Sequence, residues 1–140
     1  MRARTKSREI ALQILYQIEI TGQPAGPTLD ASLIAGPQEP EVADFARVLI
    51  EGALAHTADI DGLLKKYVKN WDVSRMAVID RNILRMACFE LLYLEGVPPK
   101  VAINEAIELA KRFGDVDSPR FVNGILDKIY KTEPSRESNA

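Results

Sequence analysis

The sequence predicts an all-α protein of about seven helices. Three observations carry this reading. Apolar residues recur at three- and four-residue spacing along most of the chain, the period of a helix with one buried face. Most of them are Leu, Ile, Val and Ala, and aromatics make up only 6% of the residues, a composition that suits helix-on-helix packing. No segment alternates apolar and polar residues as a half-buried strand does, and there is no internal repeat or low-complexity run.

The first helix is expected over residues 4–20, with Ile10, Ala11, Ile14, Leu15 and Ile18 as its core stripe. At 100° per residue, Tyr16 points away from that stripe, on the side of Thr5, Glu9 and Glu19, and Leu12 is also off it. Residues 22–40 hold four of the eight prolines and read as two loops around a short helix at 29–34. A helix over 41–56 turns Val42, Phe45, Ala46, Leu49, Ile50 and Ala53 inward. Its first turn carries Glu41 and Asp44, favourable near the positive end of the helix dipole. Residues 58–69 follow, with Ile60, Leu63, Leu64 and Tyr67 inward and three lysines outward.

The longest helix, over 74–95, is apolar on nearly every side in its second half, as a helix surrounded by others would be. Gly96-Val97-Pro98-Pro99 ends it. Residues 101–114 then show a wide apolar face (Ala102, Ile103, Ala106, Ile107, Ala110, Phe113). Gly114 is expected to stop that helix in the left-handed conformation. Ser118 is expected to cap the last helix, with Pro119 at its first position and Val122, Ile125, Leu126 and Ile129 inward. Residues 132–140 are polar, have no period and read as a disordered tail, which leaves one domain over 1–131.

A chain of 140 residues with 46% hydrophobic content can bury a core of its own. No apolar run reaches the roughly 18–20 residues of a bilayer span. Residues 86–94 come closest, and Glu90 interrupts them. The basic N-terminus has no apolar stretch behind it, so it is not a secretory signal. The single Cys88 has no partner for an internal disulfide, and a cytoplasmic protein fits best.

The net charge of −2 conceals an uneven distribution. Arg2, Arg4, Lys6 and Arg8 stand together without an acid, whereas residues 23–61 hold seven acids against Arg47 alone. One end can therefore meet phosphates while another side meets something basic.

Catalysis finds no foothold. His56 is the only histidine and reads as a helix-end dipole partner. Metal-ligand spacing, a phosphate loop and a nucleophile with its base are all missing, so no enzyme, cofactor or metal is expected. Glu90 stands alone among apolar neighbours; an ion pair with an arginine is the ordinary outcome, and Arg81 and Arg85 are near in sequence.

Two features suit RNA. Arg2, Arg4, Lys6 and Arg8 can neutralise phosphates, giving a salt-dependent affinity, or they form an ordinary solvated terminus. Tyr16 is either a stacking platform for an unpaired base or a side chain covered by a second neighbour, and Phe121 is open in the same way.

The run AINEAIELAKRFG at 102–114, followed by FVNGILD at 121–127, resembles the C-terminal signature of the NusB family of bacterial transcription antitermination factors. The likeness extends to ALQILYQIE in the first helix and to DRNILRMACFELLYLEGVPPKVAINEA, and covers about residues 4–130. It implies a fold of two packed three-helix subdomains. It also implies binding of boxA, a short single-stranded element of nascent ribosomal RNA leaders, together with the ribosomal protein NusE. The complex joins RNA polymerase with other Nus factors, and a homodimer is possible in the family; no membrane partner is expected, since no apolar run is long enough to span one. Carried over by position, Arg4, Lys6, Arg8, Tyr16, Phe121 and Asn123 are the RNA-binding candidates. Asp80, Arg81, Arg85 and Asp117 are the candidates for NusE. Some relatives have more consecutive arginines than this arm, where Thr5 and Ser7 intervene. Two other readings compete. The same helical module fronts a ribosomal RNA cytosine methyltransferase, but nothing after residue 130 could supply that domain. The chain could also be a purely protein-binding module whose basic arm is incidental.

Overall fold

A computed structural model describes residues 2–24, 26, 39–68 and 76–135, and among these it is all-helical. Six helices follow in order: α1 (Ala3–Thr21), α2 (Pro40–Ala55), α3 (Thr57–Tyr67), α4 (Val78–Leu92), α5 (Pro99–Phe113) and α6 (Ser118–Thr132). Five of them begin and end within about two residues of where the apolar period predicts; α4 is shorter than the 74–95 expected, and α1, at 19 residues, is the longest of the six described helices. The short helix expected at 29–34, and residues 69–75 and 136–140, lie outside the described residues.

Helix α4 is central. It meets each of the other five, which is why Ile83, Leu84, Met86, Ala87, Cys88 and Leu92 are almost fully buried around its circumference. Helices α1 and α2 pair on one side of it, α5 and α6 on another, and α3 docks on α4 and α6. In chain order the helices divide three and three, yet one continuous apolar cluster draws on all six. The pairing of α2 with α4 depends on Gly52. A Cβ there would meet the Phe89 ring at 2.1–2.4 Å, so the missing side chain is what lets that ring lie on the α2 backbone. His56 continues the stack, 3.9 Å from the Tyr93 ring and 6.0 Å from Phe89.

Three local expectations are corrected. The wheel for α1 was too narrow: Leu12 is completely buried, because α1 is covered by α2 on one side and by α4 and α5 on others. Gly114 is not left-handed (φ −90°, ψ −169°). Glycine is needed there for space, since a Cβ would lie 2.5 Å from the Ser118 side chain and 2.8 Å from the Ala110 carbonyl oxygen. The last helix is capped by Asp115 rather than Ser118. Its Oδ1 accepts the backbone N–H of Asp117 at 2.9 Å and of Ser118 at 3.2 Å, while Ser118 Oγ accepts the N–H of Asp115 at 3.0 Å. Among the described residues the left-handed glycines are Gly22, which ends α1, and Gly96, in the turn after α4. At the other end of α6, the stretch read as tail starts inside the structure. Thr132 closes the helix, and the Glu133 carboxylate accepts hydrogen bonds from Tyr67 and, at 3.0 Å, from Lys66.

Candidate nucleic-acid and protein interface

The basic arm is not a loose tail. It is the first turn and a half of α1, which starts at Ala3. No acid stands in that first turn, so Arg2, Arg4 and Lys6 add positive charge where the helix dipole is already positive. All three are exposed. Such an arrangement is stabilised by an external anion, and several phosphates of a nucleic acid would supply it.

Arg8 departs from this group. It is 2% exposed, and its guanidinium is taken up inside the protein. Nε lies 3.1 and 3.0 Å from the two carboxylate oxygens of Glu90, one terminal nitrogen lies 2.7 Å from Glu90 and the other 3.1 Å from Glu105. Glu105 also accepts the Thr5 hydroxyl, and Arg112 pairs with Glu9, so α5 grips the start of α1. The expectation that Arg8 meets RNA phosphates is therefore corrected, because its donors are turned inward. The expected arginine partner of Glu90 exists, but it comes from α1 and not from Arg81 or Arg85. Burial pushes the Glu90 carboxyl up, against the pull of Arg8. Burial would lower Arg8, but Glu90 and Glu105 outweigh it and hold the guanidinium firmly charged.

Tyr16 is 39% exposed on the outer side of α1, beside exposed Gln13, Gln17 and Ile20. Twelve residues separate it from Arg4, about 18 Å along a helix axis. Phe121 and Asn123 sit on α6, which packs on α5 and α4. Asn123 is exposed, whereas Phe121 is half-buried and lines a recess of about 390 Å³ with Met76, Asp80, Asp115, Asp117 and Ser118. A ring with one face in such a recess can meet a ligand only through its free edge or face.

The four candidates for a protein partner separate in the same way. Asp117 is exposed beside the start of α6. Asp80 is 9% exposed, and its Oδ1 has no hydrogen-bond partner among the described residues. Burial raises the Asp80 pKa, the Ser118 hydroxyl opposes that, and the charge of Asp115 adds to it. Arg81 and Arg85 are occupied. Both pair with Glu19; Arg85 also donates to the Asp61 carboxylate at 2.9 and 2.8 Å, and Arg81 donates to the Met76 carbonyl at 2.8 Å. Sequence reasoning missed Glu19, Glu105 and Phe45 as organisers of this surface, since their partners lie far off in the chain.

Glu19 gives a pH signature. Burial alone would raise its carboxyl, but hydrogen bonds from Arg81 and Asn82 and the charges of Arg81 and Arg85 together hold it below its ordinary value. A carboxyl depressed in the folded state contributes stability above its unfolded pKa of about 4.3 and loses it as pH falls through the lower folded value. Glu19→Gln should therefore remove part of the loss of stability on acidification. The check is the urea midpoint of both proteins from pH 7 downward, with the gap between them narrowing as pH falls. A constant gap would rule out Glu19 as a source of acid sensitivity.

Comparison with known proteins places these features in a common frame. A model of the NusB family matches residues 5–131. The transcription antitermination protein NusB of Geobacter sulfurreducens is 46% identical over 139 residues, covering 97% of this chain and 99% of that protein. The corresponding protein of Myxococcus xanthus is 44% identical over 133 residues, 92% of this chain and 95% of that one. Among solved structures, T. maritima NusB superposes with a TM-score of 0.85 at 37% identity, over 92% of this chain and 91% of that one. A chain in a crystal structure of the antitermination factors NusB and NusE in complex with dsRNA gives a TM-score of 0.83 at 27% identity, over 94% and 98%.

Proposed function

The chain belongs to the NusB family, and on that ground we propose that it is an RNA-binding transcription antitermination factor. With NusE it holds the boxA element of nascent ribosomal RNA leaders and brings that RNA into an antitermination complex on RNA polymerase with other Nus factors. The observation that carries this is likeness over nearly the whole chain to NusB proteins, one of them in complex with NusE and RNA. The role is assembly in the cytoplasm rather than catalysis, performed by a single domain over residues 1–131. Glu90, the carboxylate that stands out in the sequence, supports this reading because Arg8 engages both of its oxygens. Arg2, Arg4 and Lys6 meet the RNA backbone, Tyr16 stacks on a base, and Asn123 with the free side of Phe121 extends the contact along α6. NusE takes the side marked by Asp117 and the mouth of the Asp80 recess; Arg81 and Arg85 shape that side through Glu19 and Asp61.

The test is a fluorescence titration of labelled boxA RNA, a scrambled RNA and a boxA duplex, with and without NusE, at two salt concentrations. Tighter binding of unpaired boxA than of the scrambled RNA, strengthened further by NusE, is expected. Three backbone contacts from the arm give a slope of log affinity on log salt near −2, at about 0.7 per phosphate on a single strand. Equal binding to all three RNAs would reduce the function to a basic patch. No binding to any of them, with NusE still bound, would make the chain a protein-binding module.

A further inference from the structure

Arg4 and Arg8 are four residues apart and so lie on one face of α1. Both guanidinium groups lie against the same ring: the central carbon of Arg4 is over Phe45 of α2, 4.4 Å from its centroid, and that of Arg8 is 5.4 Å away. The two contacts differ in what they leave free. Arg8 directs its donors to Glu90 and Glu105. Arg4 is exposed, and no described residue gives it a hydrogen bond or an ion pair, although Glu41 and Asp44 line the same recess of about 350 Å³. Contact through a π face consumes no N–H donor. Arg4 is thus held in place while its five N–H groups stay available, in the fork geometry that suits a phosphate. Phe45 itself is half-buried and packs on the core, so the ring is a fixed support rather than a mobile partner.

We propose that Phe45 is a positioning residue for RNA binding: its ring, carried on α2, fixes Arg4 of α1 with its donors open to an RNA phosphate. The inference rests on the RNA-binding function above. Holding a long side chain in place before binding lowers the entropy lost on contact, and stacking does so without neutralising the charge. A carboxylate in the same position would fix Arg4 equally well and compete with the phosphate. Lys6 lies about 200° further round α1 and has no part in the arrangement.

A double-mutant cycle on the full chain tests this, with unpaired boxA RNA as the probe and each affinity referred to the folded fraction measured by urea unfolding. Phe45→Leu keeps apolar packing and should weaken binding about two- to fivefold, the size of an exposed cation–π contact. Phe45→Tyr keeps the ring and should restore it. In an Arg4→Ala background, Phe45→Leu should have no further effect, whereas in a Lys6→Ala background its effect should persist in full. An equal effect of Phe45→Leu with and without Arg4, or tighter binding by that variant, would overturn the proposal while leaving the RNA-binding function standing. Arg4→Ala without any loss of RNA affinity would overturn both this inference and the assignment of the arm to RNA.

Discussion

Replacing Arg8 by methionine should destabilise the fold by about 3–5 kcal/mol, the cost of stranding one member of a buried ion pair. Glu90 is 2% exposed and receives three contacts from this guanidinium at 2.7–3.1 Å. Without it the carboxylate faces the like charge of Glu105, no cation among the described residues is in contact with it, and Arg4 acts on it only through its charge. The loss should depend on pH. Burial already holds the Glu90 carboxyl above its ordinary value, and removing Arg8 raises it further. A carboxyl raised in the folded state favours folding at pH below its unfolded value and loses that contribution as pH rises through the folded one. The variant should therefore be closer to the parent at pH 5 than at pH 8. Adding Glu90→Leu should return most of the stability, since an apolar pair of similar volume can replace a buried ion pair at little cost. Urea unfolding of the parent, the single and the double variant measures all three. A single variant within about 0.5 kcal/mol of the parent, the range of a neutral surface change, would mean that Glu90 does not depend on Arg8.

Tyr16→Ala should weaken binding of unpaired boxA RNA by about 1–3 kcal/mol with folding retained. At 39% exposure the ring has one side free for a base, and removing it opens no sealed cavity. The duplex should be affected much less, because its bases are not free to stack on a side chain. The measurement is the affinity for each RNA, together with thermal unfolding of both proteins. If the variant unfolds early and its folded fraction binds RNA as tightly as the parent, Tyr16 is a packing residue and the stacking assignment is wrong.

The residues explain why some of this was legible in the sequence. Helix bounds follow from apolar spacing, which any single helix displays on its own; α1 was expected over 4–20 and spans Ala3–Thr21. Burial is a property of two or more helices. A wheel assumes one covered side, so it placed Leu12 outside although α1 is covered on several sides. Arg4 and Arg8 look equivalent in sequence, four residues apart in one basic run. Glu90 and Glu105, 82 and 97 positions away, separate a buried cation from an exposed one. The same limit applies to Gly114, where punctuation was visible but the reason, contact with Ser118, was not. Tyr16 is exposed while Leu12, one turn earlier on the same side of α1, is fully covered; the wheel treats the two alike and only the packing of the other helices separates them.

The two ion clusters that tie α1 to α4 have opposite senses. Near its start α1 supplies a cation, Arg8, to an anion near the end of α4, Glu90; near its end it supplies an anion, Glu19, to cations in the first half and at the middle of α4, Arg81 and Arg85. The charges therefore act as a polarity code for docking. Turned end for end, α1 would bring Arg8 toward Arg81 and Glu19 toward Glu90, and like charges facing each other at a buried or partly buried helix contact are unfavourable. An apolar stripe tolerates either direction, and helix propensity is indifferent to it. These few side chains favour the antiparallel arrangement of α1 and α4 over the parallel one.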